Sequence, residues 1–214
     1  VTDYLKPADN VAASYIELRG RVVTLLRTVA QREAKEIVPT TPEWTFADLA
    51  AHIVGVPEDI LSGQMEGAGS DAWTAVQVER HQGETLTQLA DHLVATGSID
   101  AILPNIPQPH LSQFLMDAVN HEQDLYLTLG RITARDSDAV HAGLGYMLNA
   151  VHTVSPELAT SLADSSLTPW ELLRTLSGRR TVEQIRAIQG IDAEHLIEIL
   201  HTTAMKPPMT TVEE

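Results

Sequence analysis

The 214 residues include 43 % hydrophobic and 20 % charged side chains, enough apolar material for one large domain or a domain with an appendage, and too little charge for a disordered chain. Fourteen Lys and Arg against twenty-nine Asp and Glu give a net charge of −15, which argues against non-specific nucleic-acid binding and against docking on an anionic membrane. The absence of cysteine excludes disulfides, thiolate metal sites and a cysteine nucleophile, so any thiol chemistry needs a thiol from outside.

In chain order, Val11, Tyr15, Leu18, Val22, Leu25, Leu26 and Val29 recur at the three-to-four spacing of an amphipathic helix, predicted from Asn10 to about Lys35. Two prolines separate it from a second helix, for which Thr45 followed by Asp48 forms an N-cap pair. That helix runs to Gly55 or Gly63, with Pro57 as a break or kink. Residues 65–70 read as a loop, and Asp71 to about Thr96 as a third helical region interrupted near Gly83. Pro104, Pro107 and Pro109 mark a linker. A fourth helix spans about Leu111 to Leu129 and closes at Gly130.

Beyond Arg131 the pattern changes. A fifth helix is predicted from Asp138 to Val151, and a Ser/Thr-rich stretch from Thr153 to Thr168. A short helix opens at Pro169 and ends at Gly178, two more cover 182–188 and 193–201, and the tail after Pro207 should fray. The expected fold is mainly α: an up-and-down four-helix bundle over 8–135 with a short C-terminal region over 136–214. No apolar run approaches the ~20 residues of a membrane span. The opening Val-Thr-Asp-Tyr-Leu-Lys lacks the charged-then-apolar order of a signal peptide, so a cytoplasmic location is expected.

Asp117-Ala-Val-Asn-His121 carries the most chemistry. Residues four apart on a helix share a face, so the Asp117 carboxylate and the His121 imidazole can reach one point. His52, on the second helix, supplies a third ligand. One carboxylate and two imidazoles leave coordination positions open, as a reactive metal requires. Asp124, three residues past His121, either orients an imidazole from outside the ligand set or holds the bundle together. Glu122 and Gln123 are expected in solvent or at a helix contact. His81 and His92 are expected on exposed helix faces, and Trp44 and Trp170 as core anchors at helix starts.

Three blocks carry a family resemblance: Pro42-Glu-Trp-Thr-Phe-Ala-Asp-Leu-Ala-Ala-His52-Ile-Val-Gly, then Ala118-Val-Asn-His121-Glu-Gln-Asp124-Leu-Tyr-Leu-Thr-Leu-Gly130-Arg, then Glu171-Leu-Leu-Arg-Thr-Leu-Ser-Gly178-Arg-Arg180. In this order they resemble the mycothiol-dependent maleylpyruvate isomerase family of the DinB-like helical superfamily. The resemblance covers most of 10–135 and recurs at 168–188. It implies a four-helix bundle holding a divalent metal, usually zinc, through the positions of His52, Asp117 and His121. Two departures stand out. The family's best-known members carry glutamate where this chain has Asp117, one methylene shorter. They also commonly insert a small α/β domain before the Gly-Arg motif, for which residues 134–168 are too short and too poor in strand pattern.

The resemblance further implies arginines near Arg80 and Arg179 as substrate or cofactor contacts, since the guanidinium fork suits a diacid or the carboxylate of a thiol cofactor. Surface ion pairing in an acidic protein is the competing reading for both. The expected function is a zinc- and mycothiol-dependent enzyme acting on an electrophilic small molecule, with general thiol transfer placed ahead of isomerisation. In the isomerase, the thiolate adds to the conjugated double bond of maleylpyruvate, the resulting single bond rotates, and thiol expulsion leaves the trans product. A homodimer is allowed for. The alternatives are a non-catalytic or regulatory DinB-like module and a metal-dependent hydrolase; the latter lacks any His-Glu-x-x-His order.

Overall fold

The computed structural model describes residues 3–213. The first two residues of the opening stretch and the last residue of the tail lie outside them. Among the described residues the chain is mainly helical, with ten α-helices, three 3-10 helices and no strand. An isolated antiparallel bridge joins Ile37 to Thr45. No helix of the described residues is long and apolar enough to cross a membrane.

The chain divides into two compact units: Tyr15–Ile106 with His121–Thr133, and Val1–Ser14 with Pro107–Asn120 and Ala134–Glu214. Helices α1 (Ala8–Thr28) and α5 (His110–Thr128) each run through this division. The apolar stripe of α1 is buried as its spacing requires, with Val11, Leu18 and Val22 fully inaccessible. The helix stops at Thr28 rather than Lys35. Thr28 turns its hydroxyl back onto the carbonyls of Thr24 and Leu25, and Gln31–Lys35 tightens into a 3-10 helix.

In the first unit, α2 (Phe46–Ser62) starts at the capping box of Thr45 and Asp48 and ends at Gly63, whose φ of +73° suits a left-handed cap. It does not break at Pro57. Nearly every residue from Leu49 to Pro57 is buried, so packing on all sides holds the helix through the missing N–H. Helix α2 packs against α3 (Asp71–Arg80) and α4 (Leu86–Ala95). These two helices are the expected third region, separated by a turn in which Gly83 takes a φ of +84°.

In the second unit, α6 (Asp138–Val154) packs against α7 (Pro156–Ala163) and α8 (Pro169–Leu176). Helix α7 occupies the stretch expected to be merely Ser/Thr-rich. Pro156 sits at its first turn, where a missing N–H costs nothing, and Leu158, Ala159 and Leu162 supply a buried face. The short α9 (Val182–Arg186) and α10 (Ala193–His201) follow and pack on each other. Residues 134–168 contain no strand.

Candidate metal centre

His52 lies mid-way along α2, and His121 on α5, with Asp117 one turn before it on the same continuous helix. Each residue offers a ligand atom, and these atoms all lie within 4.8 Å of one another. Neighbouring ligands of a tetrahedral zinc-class ion with ~2.1 Å bonds lie about 3.4 Å apart, so a triad within 4.8 Å would need only a small closure to hold one ion. The His52 and His121 rings meet edge to face, with centroids 4.9 Å apart, and Trp44 lies against both at 5.4 and 6.3 Å. Trp44 is therefore a wall beside the two imidazoles as well as an anchor at a helix start.

The protonation of His52 follows from its neighbours. Its Nδ1 is 2.7 Å from Oε1 of Gln77, a residue with no solvent exposure. The Gln77 amide cannot be reversed, because its Nε2 donates to Oδ2 of Asp59 at 2.7 Å, and an ionised carboxylate only accepts. Asp59 is in turn held by Nη2 of Arg80 at 2.6 Å. The chain Arg80, Asp59, Gln77, His52 thus places an imidazole proton on Nδ1, so that Nε2 is the atom that would hold an ion. Nδ1 of His121 lies 3.5 Å from Oδ2 of fully buried Asp124, an ion-pair distance rather than a hydrogen bond. The donor set and the Nδ1 hydrogen bond of His52 fit a divalent cation.

Gln77 escaped sequence reading because nothing in its own surroundings marks it. The usable signal was Gly55. A glycine inside a buried helix costs roughly 1 kcal/mol against alanine, so it points to a close approach. A Cβ on Gly55 would lie 2.5 Å from Cβ of Gln77.

The other candidates fall as follows. Arg80 directs its guanidinium onto Glu58 at 3.0 Å and Asp59 at 2.6 Å, so its fork is engaged by carboxylates of the chain itself. Arg179 follows α8 and donates from Nη1 to the Ser177 carbonyl at 2.6 Å. Glu122 is not in solvent: it is fully buried and grips Arg21 with both oxygens at 2.6 and 2.9 Å. Burial pushes its carboxyl above the ordinary value, and Arg21 opposes that shift. Gln123 is buried as well. Trp170 is buried as expected, and its ring also carries the guanidinium of Arg135 at 3.7 Å. Arg174, unremarked in the sequence, is fully buried; Asn120 accepts from Ser177 Oγ at 2.8 Å beside it.

The expectation that His81 sits on an exposed face is wrong. Its side chain is only 3 % accessible, because it caps α3 and turns under α2 onto Glu58. His92 is half-exposed.

Comparison with protein-family models, curated proteins and solved structures produced no match for this chain.

Proposed function

We propose that this chain is a metal-dependent enzyme that uses a low-molecular-weight thiol of the mycothiol type against an electrophilic small molecule, on a DinB-like helical bundle. The reading is carried by the convergence of His52, Asp117 and His121, with Gln77 bonded to Nδ1 of His52. Two sequence features add to it: the three family-like blocks and the complete lack of cysteine, which leaves the nucleophile to an external thiol.

When bound, a divalent cation of the zinc class supplies the positive charge that brings a coordinated thiol below its ordinary pKa of ~8.5, so that the thiolate predominates at neutral pH. The chain's own residues do the rest. His52 and His121 would present their imidazoles, with Gln77 hydrogen-bonded to Nδ1 of His52 and the Asp124 carboxylate 3.5 Å from Nδ1 of His121. Asp117 would contribute a single negative charge, so the three residues would only partly cancel the charge of a dication. The Trp44 ring lies against both imidazoles, at 5.4 and 6.3 Å between centroids. Arg80 acts through Asp59 and Gln77 as a positioning residue. Thiol transfer needs only addition to the electrophile; isomerisation needs rotation and expulsion as well, and transfer is therefore the reading preferred here.

The test is metal content and mycothiol binding on purified wild type and on His121→Ala. Loss of one divalent equivalent together with thiol affinity in the variant is the expected result. Unchanged metal content in the variant would overturn the triad, and a triad-bound metal without thiol affinity would overturn the thiol step.

A further inference from the structure

We propose that Glu58, His81 and His92 form a second divalent-cation site, separate from His52, Asp117 and His121, with Glu84 as the carboxylate that orients both of its imidazoles. Glu58 lies near the end of α2, His81 caps the C-terminus of α3, and His92 lies on α4, so three packed helix segments fix the group. Each residue offers one ligand atom, all within 4.8 Å of one another.

The pairing of nitrogens with oxygens carries the argument. Glu84 Oε2 lies 3.1 Å from His81 Nδ1, and Glu84 Oε1 lies 3.3 Å from His92 Nε2. A carboxylate accepts only, so Glu84 takes one N–H from each ring. The remaining nitrogens, His81 Nε2 and His92 Nδ1, both face Glu58, at 3.0 Å from Oε2 and 3.7 Å from Oε1. In the metal-free chain both His81 nitrogens can donate to a carboxylate, and a cation would take the place of the proton between His81 Nε2 and Glu58, with Glu84 behind both imidazoles. That is the carboxylate–histidine–metal arrangement, which raises ligand basicity and holds ring orientation.

Size and charge agree. Neighbouring ligands of a tetrahedral ion with ~2.0 Å bonds are about 3.3 Å apart; His92 Nδ1 lies 3.7 Å from Glu58 Oε1, and the ligand atoms of the three residues lie within 4.8 Å of one another. Arg80 Nη1 also donates to Glu58 Oε2 at 3.0 Å, which leaves Oε1 as the oxygen for an ion. Glu58, Glu84 and Asp59 against the single guanidinium of Arg80 leave the carboxylates and guanidinium together two charges negative. A dication balances that charge. His81 is closed off, whereas Glu58, Glu84 and His92 are 24, 25 and 44 % accessible, which gives an ion an entry path and room for water to complete its shell. The two-imidazole, one-carboxylate donor set selects a zinc-class ion over magnesium or calcium, which take oxygen ligands.

The test uses the full chain, stripped with chelator and titrated with Zn²⁺ and with Co²⁺, whose visible spectrum reports ligand geometry, at pH about 7.5 and again about one unit higher, because the hydrogen bond to Glu58 holds His81 above the ordinary histidine value. His92→Ala is the first variant, because this half-exposed side chain can be removed with least damage to folding; far-UV circular dichroism checks that, and Glu58→Gln replaces it should it unfold. The expected result is loss of one metal equivalent in His92→Ala, in the wild-type and the His121→Ala backgrounds alike, with Glu84→Gln weakening that equivalent about 10–100-fold. Stoichiometry and affinity unchanged in His92→Ala would overturn the site, as would an equivalent retained in folded Glu58→Gln. Failure of the other triad would appear separately, as unchanged stoichiometry in His121→Ala.

Discussion

Replacing Gln77 with methionine tests the link between packing and the candidate metal centre. Methionine keeps the unbranched shape that the close approach of Gly55 demands, and removes only the amide. Two hydrogen bonds of 2.7 Å disappear, one to His52 and one to Asp59. The His52 Nδ1–H is then buried without an acceptor, a cost of about 1–3 kcal/mol. Asp59 retains Arg80 at 2.6 Å, so its loss falls near the lower end of the same range. The sum is about 3 kcal/mol, which for a chain of this size lowers Tm by roughly 6–12 °C. Freed of its acceptor, His52 can place its proton on either nitrogen, and Zn²⁺ affinity at the triad should fall about 10–100-fold. Thermal unfolding of metal-free protein reads the first effect, and Zn²⁺ competition against a chelating dye reads the second. Wild-type Tm and wild-type affinity in Gln77→Met would refute the argument that Gln77 sets the His52 tautomer.

Two further outcomes concern the second unit. The Thr168 hydroxyl and backbone N–H donate to Glu171, which holds its carboxyl below the ordinary 4.5. A depressed carboxyl contributes stability that is complete above that ordinary value and lost as pH falls through the folded one. Glu171→Ala should therefore cost about 1 kcal/mol in urea unfolding at neutral pH, and the gap from wild type should close as the medium is acidified; a gap independent of pH would contradict this. Gly178 has a φ of +75°, and a Cβ there would lie 2.9 Å from the Met205 backbone, whereas Gly130, at +61°, has open space. Gly178→Ala should cost more than Gly130→Ala, which pays only the left-handed penalty of about 1–3 kcal/mol; equal costs in urea unfolding would show that the tail does not pack on Gly178.

The helices were legible because helix formation is local. The α1 stripe, the Thr45–Asp48 capping box and the Pro169 start all depend on residues within a turn or two of each other. So does the placing of Asp117 and His121 on one face, since i and i+4 are neighbours on any α-helix. Where local signals were weak, the reading missed: α7 spans eight residues and buries only Leu158, Ala159 and Leu162, and α1 ends at Thr28 although its apolar stripe runs on to Val29.

The polar interior was not legible. Gln77 meets His52 across 25 residues and Asp59 across 18, and His81 meets Glu58 across 23. No periodicity relates such pairs. The packing of α2 against α3 and α4 brings them together, and burial then requires each polar group to find a partner, because an unpaired one costs kilocalories in the interior and almost nothing in water. The sequence by itself determined that helices form and that Asp117 and His121 share a face; the tertiary structure decided which nitrogen of His52 carries a proton and which side chains surround His81, because those depend on distances between helices.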